Sequence, residues 1–268
     1  MRSARPQGDS ILSSKRFLAS PSFATALAGV ALLTASALSG ATGTPAPKPD
    51  TWVAIGKLPD WSGVWELTRS PGGGGPPEQP AFTPAYAAKV KAYKDAQEKG
   101  GEQDNTTANC LPPGMPQIMN QPYPMEFLFT PGKITIVIEA YSQMRRIFTD
   151  GRKHPDDPDQ TFNGHSIGRW EGDTLVVDSL GFVAETPLSM GGIQHSDQMH
   201  IEERMRMTGA DKMEIRTTVY DPVALTKPWT TTKTLARHRD WDIAEYVCEQ
   251  NNRNFVNDEG KAGIILNK

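Results

Sequence analysis

The stretch Asp150–Phe182, DGRKHPDDPDQTFNGHSIGRWEGDTLVVDSLGF, decides how this chain is read. Its second half carries two extended runs, His165–Trp170 and Thr174–Ser179, separated by Glu171-Gly172-Asp173. Glycine supplies the positive φ that a tight reversal needs, so an antiparallel hairpin is expected. Side chains alternate along a strand, which puts Leu175 and Val177 on one face and Val176 and Asp178 on the other. Both faces are partly apolar, so the strand is read as covered on both sides. The first half behaves differently: Pro155 and Pro158 remove ladder donors, so His154–Asp159 is a loop. Its three aspartates read either as a solvated turn or as the rim of a cavity mouth.

Downstream of the hairpin, extended runs follow at 199–208, 212–220, 229–237 and 243–249, and upstream at 125–130, 133–141 and 143–150. Turn pairs such as Pro131-Gly132 and Gly209-Ala210-Asp211 separate several of them. Short connections between consecutive strands predict a mainly β fold, an antiparallel up-and-down barrel that closes to hide its edges. One helix is expected near 83–99, where Thr83 caps, Pro84 opens the first turn and Gly100-Gly101 stops it. The Pro-rich segment 109–124 is read as wrapping the domain.

Residues 1–41 stand apart. Lys15-Arg16 precede the apolar run 23–38 and Ser39-Gly40-Ala41 offers a cleavage site, so a signal peptide and a periplasmic or secreted protein are expected. A retained membrane anchor is the rival reading. Of the 28 basic and 31 acidic residues in the 268-residue chain, this segment takes four and one, leaving 24 and 30 and a net charge of −6. That balance gives no footprint for nucleic acid. Residues 42–59 are expected to be a flexible tether, 60–256 one barrel domain and 257–268 a tail. Cys110 and Cys248 are the chain's two cysteines, and a single disulfide between them is expected; two free thiols are the alternative.

The candidate chemistry lies on these strands. In 199–207, Glu203 shares a face with Met199, Ile201, Met205 and Met207. A carboxylate on an apolar face must be protonated, paired or wet, and Arg145, Arg146 and Arg169 are the candidate partners. A structural ion pair is one reading; a general acid or base is the other. In the second reading Glu203 or His165 moves a proton while Arg146 and Tyr141 hold a developing anion. Arg169, His195, Asp197 and His200 are the expected substrate-binding residues. The histidine and aspartate spacing matches no metal-ligand pattern, so neither metal nor cofactor is expected. Ser166 sits in Gly164-His165-Ser166-Ile167-Gly168, but a strand follows where a nucleophile elbow needs a helix.

Two resemblances add to this. Trp65 in Gly63-Val64-Trp65 resembles the opening strand of lipocalin-like barrels, in which such a Trp plugs the closed end. The segments CLPPGMP, DGRKHPDDPD, GHSIGRWEGDTLVVDSLGF, HSDQMHIEERMR, DPVALTKPWT and AEYVCEQN are similar to those of an uncharacterised exported bacterial protein family, common in acidobacteria and sphingomonads. The likeness runs over about Trp61–Asn252, with Phe162 where Trp is expected. It implies export and a β-rich domain and carries over no catalytic residue. The polar groups on faces expected to point inward, with Glu203, His165 and Arg146 around one hollow, give the expected function: a cofactor-independent lyase, isomerase or hydrolase acting on a small hydroxylated or aromatic molecule in a barrel cavity. The alternative is a lipocalin-like carrier that leaves its ligand unchanged.

Overall fold

The structure, a computed structural model, describes residues 49–68, 78–99, 110–184, 186–188, 194–248, 254–256 and 262–264. They belong to one compact unit spanning Thr44–Lys268. The expected signal peptide, and residues 42–48 of the expected tether, lie outside the described residues. From Pro49 the chain is ordered, which corrects the reading of 42–59 as a tether throughout. Thr51 caps a short helix, α1 (Trp52–Ile55), and the Gly132 amide donates to the Pro49 carbonyl at 2.8 Å.

The strands follow as β1 (Val64–Leu67), β2 (Met125–Thr130), β3 (Lys133–Ile138), β4 (Gln143–Phe148), β5 (His165–Glu171), β6 (Thr174–Leu180), β7 (His200–Gly209), β8 (Lys212–Tyr220) and β9 (Trp229–His238). Among the described residues these nine close into a barrel in sequence order, with β9 sealed antiparallel against β1. The helix α2 (Pro84–Glu98) lies between β1 and β2 and buries Tyr86. The fold is mainly β and fits a lipocalin-like barrel.

One pairing departs from a pure meander: β4 and β5 run parallel. Parity requires it. Nine strands that alternated without exception would bring β9 alongside β1 in the same direction, so antiparallel closure needs one parallel step. A parallel neighbour cannot be reached by a tight turn; it needs a crossover of a dozen or more residues. Residues 149–164 supply that crossover, fixed by the Thr161 amide donating to the Gly181 carbonyl at 3.0 Å and by the Arg152–Asp150 ion pair at 2.6 Å. Gly164 turns the chain into β5 at φ +63, and a Cβ there would meet Phe182 at 2.5 Å. The seam is short, with Ile147 against Ser166 and Phe148 against Ile167, so the first half of β4 has no partner on β5.

Alternation then sets the interior. At one end Trp61 meets Phe127, Phe129 and Trp170 with ring centroids 5.3–5.6 Å apart, and Arg237 lies over Trp65 at 5.1 Å. That aromatic cluster closes the end at which β1 begins. Toward the other end the wrapping segment turns inward: Ile118 and Met119 are fully buried, and the Met119 carbonyl accepts from Lys233 Nζ at 3.1 Å. Cys110 at its start is bonded to Cys248, with the Cα atoms 5.7 Å apart.

Three further expectations are corrected. Residues 243–248 form no strand, because β1 already occupies the edge of β9; the segment is held instead by the Ala244 amide donating to Glu139 and by the disulfide. Strand β3 ends at Ile138, and Tyr141 sits in a 3₁₀ turn at φ 57. The tail contains β11 (Ala262–Ile264), paired with β10 (Asn254–Val256).

Candidate functional site

The same alternation divides the candidate residues between two faces of the barrel wall. Inward from β4 to β9 come Arg145, Ser166, Ser179, Glu203, Thr217 and Lys233, a polar band within an otherwise apolar lumen. Arg145 and Glu203 are 1% and 0% exposed, and Arg145 Nη2 donates to Glu203 Oε2 at 2.5 Å. The same nitrogen reaches Ser179 Oγ at 3.0 Å and Ser166 Oγ at 3.4 Å, and the two serines bond each other at 2.7 Å. Of the three arginines considered as partners for Glu203, the inward-facing one is therefore the partner.

Lys233 retains some solvent-accessible area, yet its ammonium is packed deeply enough that burial lowers its pKa to about 8. Glu203 opposes the shift and Arg145 reinforces it. Below pH 8 both folded and unfolded chains hold the proton and the folded state bears the full cost of burying it. Between about 8 and 10.5 the unfolded chain binds a proton that the folded chain has released, so stability rises with pH across that window, by about 3 kcal/mol. Urea unfolding at pH 7 and at pH 10.5 should therefore show Lys233→Met more stable relative to the wild type at the lower pH, with the advantage shrinking at the higher. A constant difference would contradict the placement of the ammonium.

Outward from the same strands come Arg146, Phe148, His165, Asp178 and His200. His165 Nδ1 lies 2.8 Å from His154 Nδ1, His154 Nε2 lies 3.2 Å from Asp178 Oδ1, and His200 Nε2 lies 2.9 Å from that same oxygen. Aspartate accepts, so His154 presents Nε2–H to it. With His154 neutral its Nδ1 is then an acceptor, and His165 must donate from Nδ1. That tautomer leaves the His165 Nε2 lone pair without a partner among the described residues. Burial, then His154 and Arg152 nearby, holds the His165 pKa below the ordinary histidine value. The hydrogen bond to Asp178 has the opposite effect on His200, raising it, and the bond from His200 lowers Asp178.

His165 also lines a groove of about 610 Å³, formed where the crossover lies against the unpaired half of β4. Its ring stacks on Phe148 at 5.4 Å, and Phe148 and Phe162 give the groove aromatic walls. Arg146 lines it as well and makes no ion pair among the described residues. Asp157 and Asp159 from the crossover are exposed and also line it, so the acidic loop is solvated and borders the groove at once. Asn163 places there a buried Oδ1 that has no partner among the described residues.

The expectation that Glu203, His165 and Arg146 share one hollow is corrected. Odd and even positions face opposite ways, so Glu203 lies inside the barrel, while His165 and Arg146 meet on the outside. Tyr141 packs on Tyr246 at 5.2 Å and does not line this groove. Arg169 pairs with Glu171 on the exposed surface at 2.8 Å. His195 is buried and bonded to Thr186 Oγ1 at 2.7 Å, and Asp197 is exposed. Thus, of the four expected substrate-binding residues, only His200 joins the histidine–aspartate chain. Sequence reasoning missed His154 and Asp178, whose meeting depends on the crossover, and Lys233, which period-two counting from Leu235 would have placed inside.

Among the described residues no group of three His, Cys, Asp or Glu side chains is arranged to hold a metal ion, and no helix is long and apolar enough to cross a membrane. No protein-family model matches the chain, and no curated protein matches it at a significant level.

Proposed function

We propose that the protein is an exported acid–base enzyme, a lyase, isomerase or hydrolase, acting on a small hydroxylated or aromatic molecule bound in the groove at the β4–β5 seam. The observation that carries this reading is the Asp178–His154–His165 chain ending at the groove wall, with His154 and His165 2.8 Å apart. Such a chain fixes a tautomer and leaves Nε2 as a general base, a role for which an imidazole that is neutral near pH 7 is suited. Arg146 supplies the positive charge for an anion that develops when the proton is taken. The aromatic walls suit a flat substrate, and Asn163 Oδ1 awaits a hydroxyl or amine donor. Export, and membership of the family resembled by the sequence motifs, belong to the same proposal.

The rival reading is a lipocalin-like carrier that leaves its ligand unchanged. Incubating the protein with a panel of small hydroxylated and aromatic carboxylates and following products by mass spectrometry separates the two. Turnover should fall by about 10²- to 10⁴-fold in His165→Gln. In the wild type kcat/KM should rise with pH along a limb centred below 6.5, because the base must be neutral and its pKa is depressed. Full activity in His165→Gln would refute the role of the base. A compound that binds the groove and is recovered unaltered would favour the carrier.

A further inference from the structure

The polar band inside the barrel is not explained by the groove chemistry. Among the described residues Arg145 Nε and Nη1, Glu203 Oε1 and Thr217 Oγ1 find no partner. All three residues are at most 2% exposed. Buried donors and acceptors are rarely left unpaired, because each forfeits its hydrogen bonds to water without replacing them. The unpaired set has a definite chemistry. Three N–H bonds on a guanidinium ask for acceptors, and a carboxylate oxygen asks for a donor. Lys233 enters the same lumen from β9, its Nζ donating to the Met119 carbonyl at 3.1 Å and to Asn120 Oδ1 at 2.8 Å, and the charges of both Arg145 and Glu203 act on it. With its ammonium charged, the trio carries one net positive charge. Neutral water can satisfy the hydrogen bonds but leaves that charge unmatched, whereas an anion that also carries a hydroxyl satisfies both demands.

Groove and lumen come together at the seam, where Ser166 belongs to both. Ser166 faces the lumen, where its hydroxyl lies 3.4 Å from Arg145 Nη2, and yet it also lines the groove on the outside. It can do both because pairing between β4 and β5 begins only at Ile147 and Ser166. Beyond that pair, toward Gln143, the wall between groove and lumen has no backbone ladder across it.

We propose that the interior band binds a small hydroxycarboxylate that enters through the β4–β5 seam, its carboxylate on Arg145 and Lys233 and its hydroxyl on Glu203 and Thr217. This site is distinct from the groove and does not depend on His165. The test uses the full chain, with glycolate as probe and acetate as the analogue lacking the hydroxyl. Arg145 Nε–H is followed by NMR and affinity by calorimetry. Glycolate should bind one to one, shift the Arg145 resonance and bind about tenfold more tightly than acetate, the equivalent of one hydrogen bond to a charged group.

Arg145 variants risk the fold, so Thr217→Val is the informative substitution: it keeps the side-chain shape and should lower glycolate affinity about tenfold. Lys233→Met should weaken both ligands. Water alone at Arg145 under millimolar glycolate would overturn the proposal, as would binding that survives both substitutions unchanged. Loss of groove activity in His165→Gln with glycolate binding intact would leave this site standing and concern only the function proposed above.

Discussion

Glu203→Leu should destabilise the protein by about 3 to 5 kcal/mol, because it strands the Arg145 guanidinium inside the barrel with no counter-charge. Urea unfolding followed by tryptophan fluorescence measures it. The double variant Arg145→Met/Glu203→Leu should recover most of the loss, since a buried pair replaced by apolar side chains of similar volume is often neutral or stabilising. The contrast between single and double variants matters more than either number. If the single variant unfolds no more easily than the wild type, the pair is not desolvated and the account of the lumen fails. Ser166 and Ser179, already bonded to the same guanidinium nitrogen, will soften the single variant's loss without removing it.

The second large effect belongs to the disulfide. Cys110 and Cys248 are separated by 138 positions, and closing a loop of that length in the unfolded chain is worth about 4 to 5 kcal/mol on the chain-entropy model. Cys110→Ser/Cys248→Ser should lose stability on that scale while keeping the far-UV circular dichroism of the barrel at low temperature. The covalent link ties the segment that turns into the lumen at Met119 to the chain that follows β9. Its removal should therefore also loosen the contact between Lys233 and the Met119 carbonyl. Unchanged stability in the double serine variant would mean that the non-covalent contacts of the two segments already hold them together.

Most of the barrel was legible in the sequence because period-two alternation is a local signal. The faces assigned to Leu175 and Val177, and to Ile201, Glu203 and Met205, are those the structure adopts. Helix α2 was legible for the same reason: it opens at Pro84 as expected, while the Thr83 hydroxyl before it donates to the Val223 carbonyl at 2.9 Å. What local signals do not carry is which strands meet. The reading of consecutive strands as an unbroken antiparallel series fails at β4 and β5. The clue was available, since a loop of sixteen residues with two prolines is long for a hairpin and long enough for a parallel return.

The candidate site was legible residue by residue, but not as a constellation. His165, Arg146 and Glu203 were each singled out for their chemistry, yet alternation alone separates Glu203 from the other two. His154 was passed over because nothing near it in the chain announces that the crossover will lay it against Asp178. Ile243–Glu249 was read as a strand from composition, and β1 had already taken the edge it would have needed.

The parallel seam has a consequence for how the chain reaches this shape. It divides the ring into two contiguous runs of hairpins, β2–β4 and β5–β9, whose pairings join neighbours in sequence. Contacts of that kind carry little loop-closure entropy. The costly joints are those that bring β1 to β9 and, across residues 68–124, β1 to β2. The ring is thus two arcs closed by the short strand β1, and the parallel seam between the arcs, held by two rungs, is the part of the wall that separates the groove from the charged lumen.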